Sequence, residues 1–170
     1  MAELDRKEFQ ILLFRTAFCL MACDGHLDER EIAEIRSMNK LSSYFKGIDL
    51  SVELEDLLKE LKVKGKQIVD DLFESLIKYD LSIVQELLVL EIAFRIQNAD
   101  EILHENEIRF IKVLRSKLKL QDQIIKDRFG VIDYLFDKDY SVIIQKEDLG
   151  NNYYDFISIP EIKKIEEIDF

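Results

Sequence analysis

The sequence predicts an all-α protein, a helical bundle, and three observations carry that expectation. Only one proline and five glycines interrupt 170 residues, so little stops long helices from forming. Positions recur at helical spacing over long stretches, as at Leu12, Leu13, Thr16, Ala17, Leu20 and Cys23, and again at Leu87, Leu90, Ala93, Phe94 and Gln97. A helix, an acidic turn and a second helix then occur twice in the same order. Hydrophobic residues make up 48% of the chain and aromatics 10%, enough to bury a core and to set aside disorder. The length suits one domain, with room for a small appendage.

The repeat has a separation of 76 residues, the second copy being the stretch from Ala93 to Ile108. Ala17, Phe18, Asp24, Leu27, Glu29, Glu31 and Ile32 match Ala93, Phe94, Asp100, Leu103, Glu105, Glu107 and Ile108. Apolar spacing continues at Ile35 with Ile111 and at Met38 with Leu114. The copies are too far apart for a solenoid and read as two related helical hairpins sharing one core.

Taken in order, the first helix runs into a turn at Asp24-Gly25. Asp28 then opens the next helix with Glu31 three residues on, the spacing of a capping box. Two further helices are expected at Ser51–Val63 and Lys66–Tyr79, separated by Gly65. Ser82 and Gln85 form a capping-box start for the long helix that enters the second copy. There the turn falls at Asp100-Glu101, and His104 with Glu107 opens the following helix. Leu27 and Leu103 precede the two caps, where an apolar side chain can staple onto the helix. A short helix is expected at Asp122–Phe129, stopped by Gly130. Beyond Asp139 the pattern changes: Tyr140–Ile144 and Tyr153–Ile159 are rich in β-branched and aromatic residues and predict a short β-hairpin or extended docking arm. Residues 1–139 thus read as the helical domain and 140–170 as a C-terminal appendage.

Composition narrows the function. With 35 acidic against 24 basic residues the net charge is −11, which opposes binding to nucleic acid or to an anionic membrane. That charge is local. Residues 24–31 carry −3, residues 100–107 carry −4, residues 141–170 carry −4, and the other 124 residues balance to zero. The apolar run Ile11–Ala22 is too short to span a bilayer and contains Arg15. Leu20-Met21-Ala22-Cys23 has the look of a lipoprotein cleavage box, but the charged segment before it does not suit a signal peptide. Cys19 and Cys23, the only cysteines, fit neither a redox motif nor a disulfide framework, so a reduced, cytoplasmic protein is expected.

The acidic turns are the candidate site. Clustered carboxylates repel unless a cation, a basic partner or a proton relieves them, and oxygen ligands of this type suit calcium, magnesium or manganese. The same acids can equally cap helix N-termini and complement the helix dipole without any ligand. Both readings stand for Asp24, Asp28, Glu31, Asp100 and Glu107. Sharper metal motifs fail. An EF-hand loop from Asp24 would need glycine where Glu29 stands and glutamate where Ile35 stands, and Glu101-Ile102-Leu103-His104 lacks the second Glu-x-x-His pair of a carboxylate-bridged iron site. His26 and His104 both fall in the acidic turns, either as pH-sensitive groups or as exposed turn residues. A basic stripe at Arg109, Lys112, Arg115, Lys117 and Lys119 reads as a solvated helix end favoured by the dipole, or as a dock for an acidic partner. No phosphate loop, nucleophile elbow or HExxH motif suggests an enzyme.

At Ala22-Cys23-Asp24-Gly25-His26-Leu27-Asp28-Glu29-Arg30-Glu31 the chain resembles the tellurite-resistance TerB-like family, and Asn98–Glu107 resembles its second hairpin. The resemblance covers roughly residues 5 to 120 and departs from the family pattern at Glu101 and His104. It implies an all-helical bundle of about seven helices, in a family not known to be catalytic. It also implies a link to stress response and to membrane-associated complexes, and divalent-metal binding through Asp24, Asp28, Glu31, Asp100 and Glu107. The expected function is a cytoplasmic, non-enzymatic module whose acidic end binds a divalent cation or a basic protein partner. A metal-dependent enzyme using the same carboxylates and a metal-free interaction scaffold are the alternatives.

Overall fold

The computed structural model describes residues 3–23, 33, 43–99 and 104–136. Among these the protein is all-α, with seven α-helices, one 3-10 turn and no strand. The helix expected from Asp28 lies outside the described residues except for Ala33, which is helical and exposed. The appendage expected at 140–170, its boundary at 139 and the staples at Leu27 and Leu103 also lie outside them.

Helix α1 (Arg6–Ala22) begins at a capping box. Glu8 N donates to Asp5 Oδ1 at 2.8 Å while Asp5 N donates to Glu8 Oε2 at 3.1 Å, so two otherwise unpaired amides are satisfied. Twelve of its seventeen residues are buried, which makes it the central helix and not an amphipathic surface one. Its buried polar groups are paired internally. The Thr16 hydroxyl donates to Leu12 O at 2.9 Å, and Gln10 Nε2 donates to the carbonyls of Tyr44 and Lys46 at 2.7 and 3.1 Å. Gln10 thereby ties the 3-10 turn Ser43–Phe45 to α1, and Phe14 meets Phe45 edge-on at 6.0 Å.

Helix α2 (Leu50–Lys64) is capped by Asp49, which accepts from Ser51 N at 3.0 Å. It buries Leu50, Leu54, Leu57, Leu58 and Leu61, a single stripe at helical spacing. Gly65 then adopts a φ of +58°, a conformation costly for any residue with a Cβ. The chain turns into α3 (Gln67–Lys78), with Ile68, Val69, Leu72, Phe73 and Leu76 inward.

Helix α4 (Ile83–Ala99) starts at the expected box: Gln85 N donates to Ser82 Oγ at 3.2 Å and Ser82 N to Gln85 Oε1 at 2.9 Å. Helix α5 (Glu105–Lys117) begins after His104, α6 (Asp122–Phe129) ends at Gly130, and a four-residue α7 (Asp133–Phe136) follows. The most extensive helix contact joins α1 to α4, the two helices that open the repeat copies. Helices α3 and α5 also pack on α1 and on each other, α2 covers α3, and α7 rests on α5. Phe14, Phe18, Phe73 and Phe110 lie fully inside this core, each contributing on the order of 1.5–3 kcal/mol of burial. No helix among the described residues is long and apolar enough to cross a membrane.

Candidate functional site

Of the five carboxylates expected at the acidic end, Glu107 is the one that the structure places. Asp24, Asp28, Glu31 and Asp100 lie outside the described residues, as does His26, and so does the position of one acidic turn relative to the other. Glu107 occupies the third position of α5, as its spacing from His104 implies. Its Oε2 accepts from His104 N at 3.5 Å. Its burial is the unexpected part: the residue is only 5% exposed. The neighbouring Glu105 is exposed and pairs with Arg109 one turn along.

A polar pair that the sequence does not single out joins the end of α4 to α7. Gln97, in the last turn of α4, is 4% exposed. Its Oε1 accepts from the Tyr134 hydroxyl of α7 at 2.7 Å, whereas its Nε2 meets no hydrogen-bond partner among the described residues. Burial pushes the Tyr134 hydroxyl from its ordinary pKa of 10.0 up to about 12, and the negative charge of Glu107 adds to it. Glu107, Tyr134 and Gln97 therefore form one electrostatic neighbourhood at the head of the second hairpin. The signal was a glutamine at an otherwise apolar helical position. Tyr134 carried no signal, because nothing in the sequence marked α7.

The basic stripe is corrected in part. Its residues were expected to form a solvated helix end or a dock for an acidic partner, but Arg115 is buried. Its Nη1 donates to Leu118 O at 3.4 Å, and its Nη2 to Leu120 O and Asp122 Oδ1 at 2.5 and 2.9 Å. From the other side, buried Glu86 accepts from Lys119 N with both oxygens, at 2.9 and 3.1 Å. Lys119 Nζ pairs with Asp80 at 3.0 Å. The α5–α6 connection is thus held by a guanidinium bonding its carbonyls and a carboxylate bonding its amide. Arg115 and Lys119 serve the turn itself.

The cysteines are core residues. Cys19 and Cys23 are both buried thiols. The Cys23 thiol donates to Leu20 O at 2.9 Å, and burial pushes the Cys19 thiol from 9.0 up to about 12, which suppresses the reactive thiolate. Among the described residues no group of three or more His, Cys, Asp or Glu side chains is placed to hold a metal. Compared with family models, curated proteins and solved structures, the chain matches none.

Proposed function

We propose that the protein is a non-enzymatic, cytoplasmic stress-response module of the tellurite-resistance TerB-like kind, whose acidic turns bind a divalent cation or a basic protein partner, with the cation as the preferred ligand. The observation that supports a ligand, beyond helix capping, is the buried Gln97 amide, one end of which meets no partner among the described residues, three residues before Asp100. Capping accounts for Glu107 through His104 N, but it leaves Gln97 unexplained. Exchanging the two ends of the amide keeps a hydrogen bond with Tyr134, the hydroxyl then accepting, and leaves the oxygen open instead. An open amide oxygen, bonded to a tyrosine that feels the charge of buried Glu107, is an environment that favours a cation. Asp24, Asp28, Glu31 and Asp100 supply the hard oxygen donors in this reading, and Glu107 adds negative charge.

Calorimetric titration with calcium and with manganese tests the proposal. The wild-type chain is expected to give a saturable heat, and Asp24→Asn with Asp100→Asn is expected to weaken it at least ~tenfold, a change of about 1.4 kcal/mol. Heat at background in the wild type, or an unchanged affinity in the double variant, would sink the cation site. Loss of stability in that variant without any change in cation binding would assign the carboxylates to capping alone.

A further inference from the structure

A second polar cluster lies on the surface shared by α4, α6 and the 3-10 turn. Glu91 of α4 is its centre, with a side chain only 13% exposed. Its Oε2 accepts from the Tyr44 hydroxyl. Its Oε1 accepts from Arg128 Nη2 at 2.6 Å and lies 3.7 Å from Arg95 Nη2. One carboxylate is therefore shared by two guanidinium groups. Elsewhere Arg15, Lys59, Lys64, Arg109, Arg115 and Lys119 each meet a different acid: Glu60, Glu55, Asp71, Glu105, Asp122 and Asp80. Around Glu91 two guanidinium groups meet one carboxylate, so positive charge exceeds negative among the ion-paired groups described there.

The two arginines are exposed and yet held. Their side chains are 64% and 51% accessible. Arg95 stacks over the Tyr44 ring at 5.5 Å from its centroid, and Arg128 over Phe129 at 5.2 Å. Phe129 is itself fixed edge-on against Phe94 at 5.0 Å. Stacking on an anchored ring restricts a guanidinium while leaving N–H groups at its edge open, and that fork matches a carboxylate. Less side-chain entropy then remains to be lost on binding.

We infer that Arg95 and Arg128, organised by Tyr44, Glu91 and Phe129, form a docking point for an acidic peptide segment of a partner protein. Recognition requires carboxylates presented side by side, one to each guanidinium, with the aromatic edges beneath them. Because the surface is exposed and the attraction is electrostatic, added salt weakens the complex and slows its formation.

The test uses the full chain and a fluorescein-labelled peptide of about ten glutamate and serine residues, the size of a linear recognition motif, followed by fluorescence anisotropy at low and at high salt. The expected result is saturable binding that falls at least ~tenfold, about 1.4 kcal/mol, in Arg95→Gln with Arg128→Gln. Lys7→Gln with Lys59→Gln removes the same charge from other exposed sites and should leave affinity within about twofold. Arg95→Gln alone, at an exposed side chain, should lose part of the affinity with the fold unaffected. The inference is overturned if the wild type does not saturate, if the Lys7/Lys59 variant weakens binding equally, or if Arg95→Gln changes nothing. It is also overturned if inorganic phosphate displaces the peptide at equal charge concentration, since that outcome describes a small-anion site.

Discussion

The hydroxyl of Tyr134 donates to Oε1 of Gln97 at 2.7 Å, joining α7 to the last turn of α4 across 37 residues of sequence. Leu135 beside it is buried in the core. Four residues of helix cannot persist alone, so α7 exists because these two anchors hold it.

A thermodynamic cycle on this pair separates the bond from the unpaired amide. Tyr134→Phe should cost about 1–3 kcal/mol, because both ends of the buried Gln97 amide are then unsatisfied. Gln97→Leu combined with Tyr134→Phe should recover much of that loss, since an apolar pair leaves nothing unbonded. Urea denaturation of the two single variants and the double variant reads the coupling. A double variant that shows the sum of the single losses would contradict the pairing.

Alkaline stability should show the buried thiol and phenol. Cys19 and Tyr134 both hold their protons more tightly in the folded chain, with values raised from 9.0 and 10.0 to about 12. Their contribution is complete below the unfolded values and is lost as pH rises through the folded ones. Unfolding free energy is therefore expected to fall as pH rises from 9 toward 12. Cys19→Ala should make the fall between pH 9 and 10 shallower, and Tyr134→Phe should do the same above pH 10. Denaturant titrations at stepped pH measure both slopes; identical slopes in wild type and variants would refute the assignment.

Glu86→Ala removes the acceptor of Lys119 N and strands that amide. The expected loss is on the order of 1.5–3 kcal/mol, the range for a hydrogen bond to a charged group. Hydrogen exchange should accelerate at Lys119 more than at core amides of α1, because the fault opens the α5–α6 connection locally. Uniform acceleration across the chain would argue against a local role.

Much of this architecture is legible locally. Helix α2 was expected at Ser51–Val63 and spans Leu50–Lys64; α3 was expected at Lys66–Tyr79 and spans Gln67–Lys78; α6 was expected at its observed limits. Their ends depend on nearby chemistry: Asp49 caps one, Gly65 divides two, and Gly130 at a φ of +80° stops the third. Residues whose partners are distant in sequence could not be read that way. Arg115 looks like a dipole-favoured surface cation until Leu118 and Leu120 turn their carbonyls toward it. Helix α7 has no periodicity to detect in four residues and depends on α4 and the core. At the candidate site, the spacing from His104 marks Glu107 as a capping residue, but its burial depends on how the surrounding elements pack.

The near-complete enclosure of α1 has a consequence for how such a chain can diverge. A helix exposed on one side accepts substitutions there with little penalty, as α2 can at Val52 or Val63. Helix α1 presents few such positions, so changes in it must be matched in volume by neighbours on α3, α4 and α5. Sequence drift should therefore concentrate on the outer helices, leaving the central helix as the most faithful record of ancestry in any homologue.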